Sequence, residues 1–135
     1  MKAAGYSGTP LYKKLGIKAG QRAWFVGHPS GYEDELRNIG DFQRLQKLGK
    51  DMDFLHFFTA SRKSLAAEIP KLRDAMKADG MLWISWPKKA AGVPTDLDEN
   101  IVREIGLKAR LVDVKVCAVD ETWSGLKFVF RLKDR

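Results

Sequence analysis

Residues 53–59, DFLHFFT, are apolar at nearly every position, and no other feature of the chain restricts its fold as much. A strand wetted on one face alternates apolar and polar residues, whereas a strand covered by helices on both faces does not. This run therefore belongs inside a sheet that is sandwiched between helical layers. Its neighbours fit that placement. Arg22–Gly27 (RAWFVG) is aromatic and β-branched and is cut off by Gly27 and Pro29, Met81–Trp86 stops at Pro87, and Leu111–Val119 carries Val112, Val114 and Val116. In Leu126–Leu132, Phe128, Phe130 and Leu132 alternate against Lys127, Val129 and Arg131. Phe42–Leu48 has apolar residues at 42, 45 and 48, a pattern that suits a helical face as well as a strand, and we assign it to a short strand.

Helical signals fill the intervals. Thr9 and Pro10 suit the start of a brief helix that ends near Gly16, and Ser30–Ile39 suits a second helix with Leu36 and Ile39 inward. Ser61 is a good cap for a third, in which Leu65, Ile69, Leu72 and Met76 line one face; Pro70 should kink or divide it, and Gly80 should stop it. Asp96 with Glu99 resembles a capping box for a fourth, whose buried stripe is Leu97, Ile101 and Ile105. Strands separated by helices imply parallel neighbours with right-handed crossovers, while the last two strands, joined by a short connection, must be antiparallel. The expected architecture is a Rossmann-like three-layer α/β domain over residues 1–135, with a mostly parallel sheet and a C-terminal antiparallel strand pair. Residues 1–20 are expected to form a basic N-terminal arm packed on it.

Composition narrows the function classes. With 44% apolar and 30% charged residues, the chain has the make-up of a folded protein. Its one cysteine, Cys117, cannot make an internal disulfide, and two histidines without a Cys/His ligand spacing suggest neither a metal nor a structural zinc. No apolar stretch approaches the roughly 20 residues of a membrane span, and a cytoplasmic, non-membrane protein is expected. The net charge of +7 favours anionic partners.

Four polar groups are candidates for ligand contact. Lys88 and Lys89, with Thr95 and Asp96 beyond them, follow a parallel strand, at the end of the sheet where ligands of open α/β folds collect. Asp120, Glu121, Thr122, Trp123 and Ser124 form a polar connection that would suit either ligand orientation or a turn held by Asp and Ser side chains. Ser7, Thr9, Lys13 and Lys14 combine hydroxyls and lysines but lack the phosphate-loop spacing GxxxxGK[ST]. His28 lies in Gly27-His28-Pro29-Ser30-Gly31, the first β-to-α turn, where a dinucleotide fold would carry GxGxxG. His56 reads as a packed core histidine and Cys117 as a small buried apolar group. No residue is assigned a catalytic role.

Three stretches together resemble a domain-of-unknown-function family of small uncharacterised bacterial proteins. They are Tyr6-Ser7-Gly8-Thr9-Pro10-Leu11 with Lys13–Ile17, Trp86-Pro87-Lys88-Lys89 with Thr95-Asp96-Leu97, and Val114–Lys127. More loosely, the element order is similar to a shortened class I S-adenosylmethionine-dependent methyltransferase, whose sheet also ends in an antiparallel pair. The first resemblance implies no activity; the second implies a reduced or degenerate methyltransferase-like enzyme. Three readings follow. The leading one is a protein that binds an anionic small ligand or partner at the carboxyl ends of the strands, with no cofactor. The alternatives are the methyltransferase-like enzyme and a nucleic-acid-binding protein.

Overall fold

The computed structural model describes residues 8–135, so Tyr6 and Ser7 lie outside the described residues. Six strands, β1 (Arg22–Val26), β2 (Gln43–Arg44), β3 (Met52–Phe58), β4 (Met76–Pro87), β5 (Leu111–Ala118) and β6 (Trp123–Phe130), form one sheet. The spatial order is β2-β1-β3-β4-β6-β5. The first four are mutually parallel, and β6 runs antiparallel to both β4 and β5. Helices α1 (Leu11–Leu15) and α2 (Tyr32–Leu36) contribute to one apolar cluster, and α3 (Arg62–Ala75) and α4 (Glu99–Lys108) to another. The result is a three-layer α/β domain with a largely parallel sheet and a C-terminal antiparallel strand pair.

β3 shows why the apolar run was decisive. None of residues 54–58 is more than 8% exposed. Leu55 and Phe57 join the cluster under α3 and α4, while Phe54 and Phe58 join the cluster under α1 and α2. The first helix is tied to the sheet by Trp83, whose indole Nε1 donates to the Leu15 carbonyl at 2.8 Å. Leu11, Leu15 and Ile17 are all buried.

Several boundaries differ from expectation. Pro10 occupies the cap position of α1, with Thr9 ahead of it. Only Gln43 and Arg44 of the 42–48 segment pair with β1; Phe42 turns into one core, while Leu45 and Leu48 pack against the other. Pro70 does not divide α3. Both Pro70 and Ala66, whose carbonyl loses its donor, face solvent, so water can serve that carbonyl. The same helix ends at Ala75, not at Gly80, because Met76 already pairs with Met52 in β3. β6 begins at Trp123, which places Trp123 and Ser124 in the strand, and Leu132 falls beyond it at 81% exposure. The alternation expected in β5 fails at a register shift between Asp113 and Lys115, leaving Val114 and Val116 exposed.

The cap of α4 is Asp98, not Asp96. Its carboxylate accepts from the Ile101 amide at 2.8 Å. Asp98→Ala is expected to lower stability by about 1 kcal/mol. A chemical-denaturation midpoint unchanged by the substitution would contradict this cap.

Candidate functional site

The strand order reverses between β1 and β3, and an α/β sheet opens a crevice for ligand at the carboxyl ends around such a point. Here the two strand ends approach closely. Gly27 sits at φ +77° after β1, and a Cβ at that position would lie 2.6 Å from the Phe58 carbonyl oxygen. The backbones of the two strand ends are therefore packed against each other. His28 stands edge-on to Phe25, with ring centroids 4.8 Å apart, and its pKa is lowered from 6.5 by partial burial and by Arg44, with Glu33 opposing. Residues His28–Asp34 line a depression of about 170 Å³. A second, of about 30 Å³, lies between Leu11, Pro29, Ser30, Glu35, Val119 and Asp120.

Behind this turn a polar relay crosses the core. The Tyr32 hydroxyl is 2.7 Å from His56 Nδ1, and His56 Nε2 is 2.7 Å from Ser85 Oγ. All three residues are buried, with His56 and Ser85 at 0% exposure. Burial holds the imidazole well below its ordinary pKa of 6.5 and the Tyr32 phenol well above 10. A neutral ring can donate through one nitrogen and accept through the other, so the relay is satisfied internally. It is sealed from substrate, and it anchors the first residue of α2 to the two central strands.

The sequence candidates sort into two places. Thr95 and Asp96 are structural: the Thr95 hydroxyl donates to the Ala60 carbonyl at 2.7 Å, and the Asp96 carboxylate accepts from the Arg62 amide. They hold the loop before α4 against the start of α3. Lys89 and Lys13 point to solvent. Asp120 builds a turn, its carboxylate accepting from the amides of Thr122 and Trp123 at 2.8 and 2.7 Å. Glu121 is exposed at the tip, and Ser124 is half-buried opposite Trp86.

Lys14, Lys88 and that turn do come together. The Lys88 amide donates to the Thr122 carbonyl at 2.8 Å, and Lys14 from α1 enters the same neighbourhood at only 7% exposure. Burial lowers the pKa of its ammonium; Lys88 and Lys115 lower it further, while Cys117 and Glu35 oppose. Thr9 precedes α1 on the same arm of chain. Cys117 lies half-buried beside the three lysines; burial raises its thiol pKa and Lys14, Lys115 and Lys88 pull it back. Lys115 and Lys127 were missed in the sequence. The available signal was the placement of each in a strand otherwise rich in apolar residues.

No protein-family model matches this chain, and no curated protein matches it. Solved structures do. A S-adenosylmethionine-dependent methyltransferase from Aquifex aeolicus superposes with a TM-score of 0.61 at 16% identity, over 87% of this chain and 86% of that one. Aeropyrum pernix fibrillarin, solved with natively bound S-adenosylmethionine, gives 0.54 at 14% identity, over 93% and 70%. A TehB-like methyltransferase from Corynebacterium glutamicum gives 0.54 at 11% identity, over 95% and 91%. The likeness is one of fold: this chain has a methyltransferase-like fold.

The residues do not fit that cofactor at the reversal point. Ligand pockets usually enclose about 300 Å³ or more, above either depression here. Gly27 is already in contact with Phe58, and β2 ends in Arg44, which is ion-paired with Glu33 at 2.7 Å. The end of β2 thus presents a base, not an acid that could accept from a ribose hydroxyl. Among the described residues, no cluster of His, Cys, Asp and Glu is placed to hold a metal ion, and no helix is long and apolar enough to cross a membrane.

Proposed function

We propose that the chain is a binding protein built on a methyltransferase fold. It takes a phosphate- or carboxylate-bearing small molecule at the corner formed by Lys14, Lys88 and the Asp120–Trp123 turn. The observation that supports this reading is the placement of Lys14, a residue only 7% exposed, beside Lys88 and Lys115. Gathering like charges at a desolvated position costs stability, and such arrangements concentrate at sites that receive an opposite charge. The corner also lies at the carboxyl ends of β4 and β5, on the side of the sheet where this fold class receives ligands.

Calorimetric titration of the full chain with inorganic phosphate, ATP, citrate and S-adenosylmethionine tests the proposal. At least one phosphate- or carboxylate-bearing ligand should bind saturably. Lys88→Gln and Lys14→Met should each weaken that binding about tenfold or more, the usual effect of losing a charged hydrogen-bond partner. Absence of binding by every anion, or binding that both variants leave unchanged, would refute it. A second reading, a reduced methyltransferase-like enzyme, is favoured by the superposition on cofactor-bound structures. Saturable S-adenosylmethionine binding that persists in Lys88→Gln would decide for it.

A further inference from the structure

The anion corner is the upper end of a longer band of lysines. Lys115 and Lys127 are direct partners on the antiparallel strands β5 and β6. Lys115 Nζ donates to the Lys14 carbonyl at 2.8 Å, next to the end of α1. A Cβ on Gly16 would lie 3.7 Å from Lys127 Nζ, so Lys127 flanks the same helix end. Lys14 then leads to Lys88. Among the described residues, no ion pair involves Lys115, Lys127 or Lys18, although acids elsewhere are taken up by Arg37, Arg44 and Arg103.

Two like charges directly opposite each other on neighbouring strands destabilise a sheet, so this pair is retained at a cost to folding. Lys127 supports the same conclusion: its pKa is lowered by burial, then by Lys115 and Lys18, and no carboxylate opposes them. The cost is recovered when a chain of negative charges lies along the band. Lys127 sits level with Trp83 in β4, and Lys88 follows Pro87 at the end of that strand. The rise over those five residues is about 17 Å at about 3.3 Å each. An extended single strand covers that distance with a few consecutive phosphates.

We infer that the face bearing Lys18, Lys127, Lys115, Lys14 and Lys88 is a track for a single-stranded phosphodiester chain. The inference rests on the anion reading of the upper corner and extends it from a single charged group to a polymer. A line of point charges suits a sugar-phosphate backbone and implies contact without base readout. It is less suited to a membrane, because peripheral helices hold membranes through an inserted apolar face as well as charge.

Fluorescence anisotropy of the full chain with a labelled 12-nucleotide single strand of mixed sequence tests the track. Binding is expected at 50 mM salt and should weaken with a slope of about −0.7 in log K against log salt for each phosphate neutralised. Lys115→Gln/Lys127→Gln should reduce affinity about tenfold and flatten the slope by about 1.4, twice that value. Lys71→Gln/Lys133→Gln removes the same net charge from exposed positions on α3 and after β6, and should change little. No binding at 50 mM salt, or an equal loss in the control pair, overturns the inference. So does preference for polyglutamate or phosphatidylserine vesicles over the oligonucleotide. Small-anion binding at Lys14 and Lys88 is measured in Lys127→Gln alone, which leaves Lys115 on the Lys14 carbonyl, and its persistence separates failure of the track from failure of the corner.

Discussion

Gly106→Ala is expected to destabilise the fold by about 3 kcal/mol, at the upper end of what overpacking a core usually costs. The same exchange in an exposed helix interior would stabilise it by about 1 kcal/mol. Gly106 lies in α4, where a Cβ would stand 2.1, 2.4 and 2.7 Å from three ring carbons of Phe128. Phe128 is fully buried in β6, and α4 rests directly on its ring. The collision is with the body of an aromatic side chain packed on all sides, so it cannot be relieved by turning a flexible end. At about 4 °C for each kcal/mol, the melting temperature should fall by about 12 °C. Thermal unfolding followed by far-ultraviolet circular dichroism measures it. The double variant Gly106→Ala/Phe128→Leu should recover part of the loss, because leucine vacates the space the methyl needs. A single variant as stable as the parent would mean that α4 does not sit on Phe128.

Gly106 also shows what periodicity cannot convey. The stripe of Leu65, Ile69 and Leu72 identified α3, and the unbroken apolar run at 54–58 identified a central strand, because both signals are local. Gly106 appears in the sequence as a weak helix former, and its reason lies 22 residues away on another element. The same holds at Met76. Propensity would continue the helix to Gly80, but pairing with Met52 starts the strand at once. Asp96 and Asp98 both precede helical residues, and only the tie from Asp96 to the Arg62 amide shows why the second one caps α4.

The candidate site was legible in its parts and not in its assembly. Lys14, Lys88 and the Asp120–Ser124 connection were each visible as polar groups beside strands, yet nothing local places α1 next to β5. The contact depends on Trp83 reaching Leu15 and on Lys115 reaching Lys14, separations of 68 and 101 residues. The first β-to-α turn illustrates the opposite relation. It lacks the glycine pattern of a dinucleotide turn, and its Gly27 serves instead a close approach to the Phe58 carbonyl. A fold shared with methyltransferases thus leaves function to the side chains at the carboxyl edge of the sheet, where Lys14 and Lys88 stand at a different corner from Gly27.

Acid should destabilise the protein earlier than its carboxylates require. His56 is neutral in the folded chain because burial, reinforced by His28, holds its pKa well below the unfolded value of 6.5. Tyr32 and Ser85 contact its two nitrogens, Phe58 stacks on it with centroids 4.0 Å apart, and Phe54 and Trp83 complete the surroundings. None of these groups is a carboxylate that would favour the charged ring. Between the two pKa values the unfolded chain binds one more proton than the folded chain, so stability falls as pH falls. The contribution is complete above pH 6.5 and declines by about 1.4 kcal/mol for each unit below it, until the folded-state value is reached. Glu33, whose carboxyl pKa is lowered by Arg37 and Arg44 against the effect of burial, contributes in the same direction only below its ordinary 4.5. The window from pH 6.5 to 5 therefore belongs to the histidines. Urea denaturation across that window should show the full slope in the parent and a much shallower one in His56→Gln, with His28 supplying what remains. Parallel curves for the two proteins would refute a neutral buried His56.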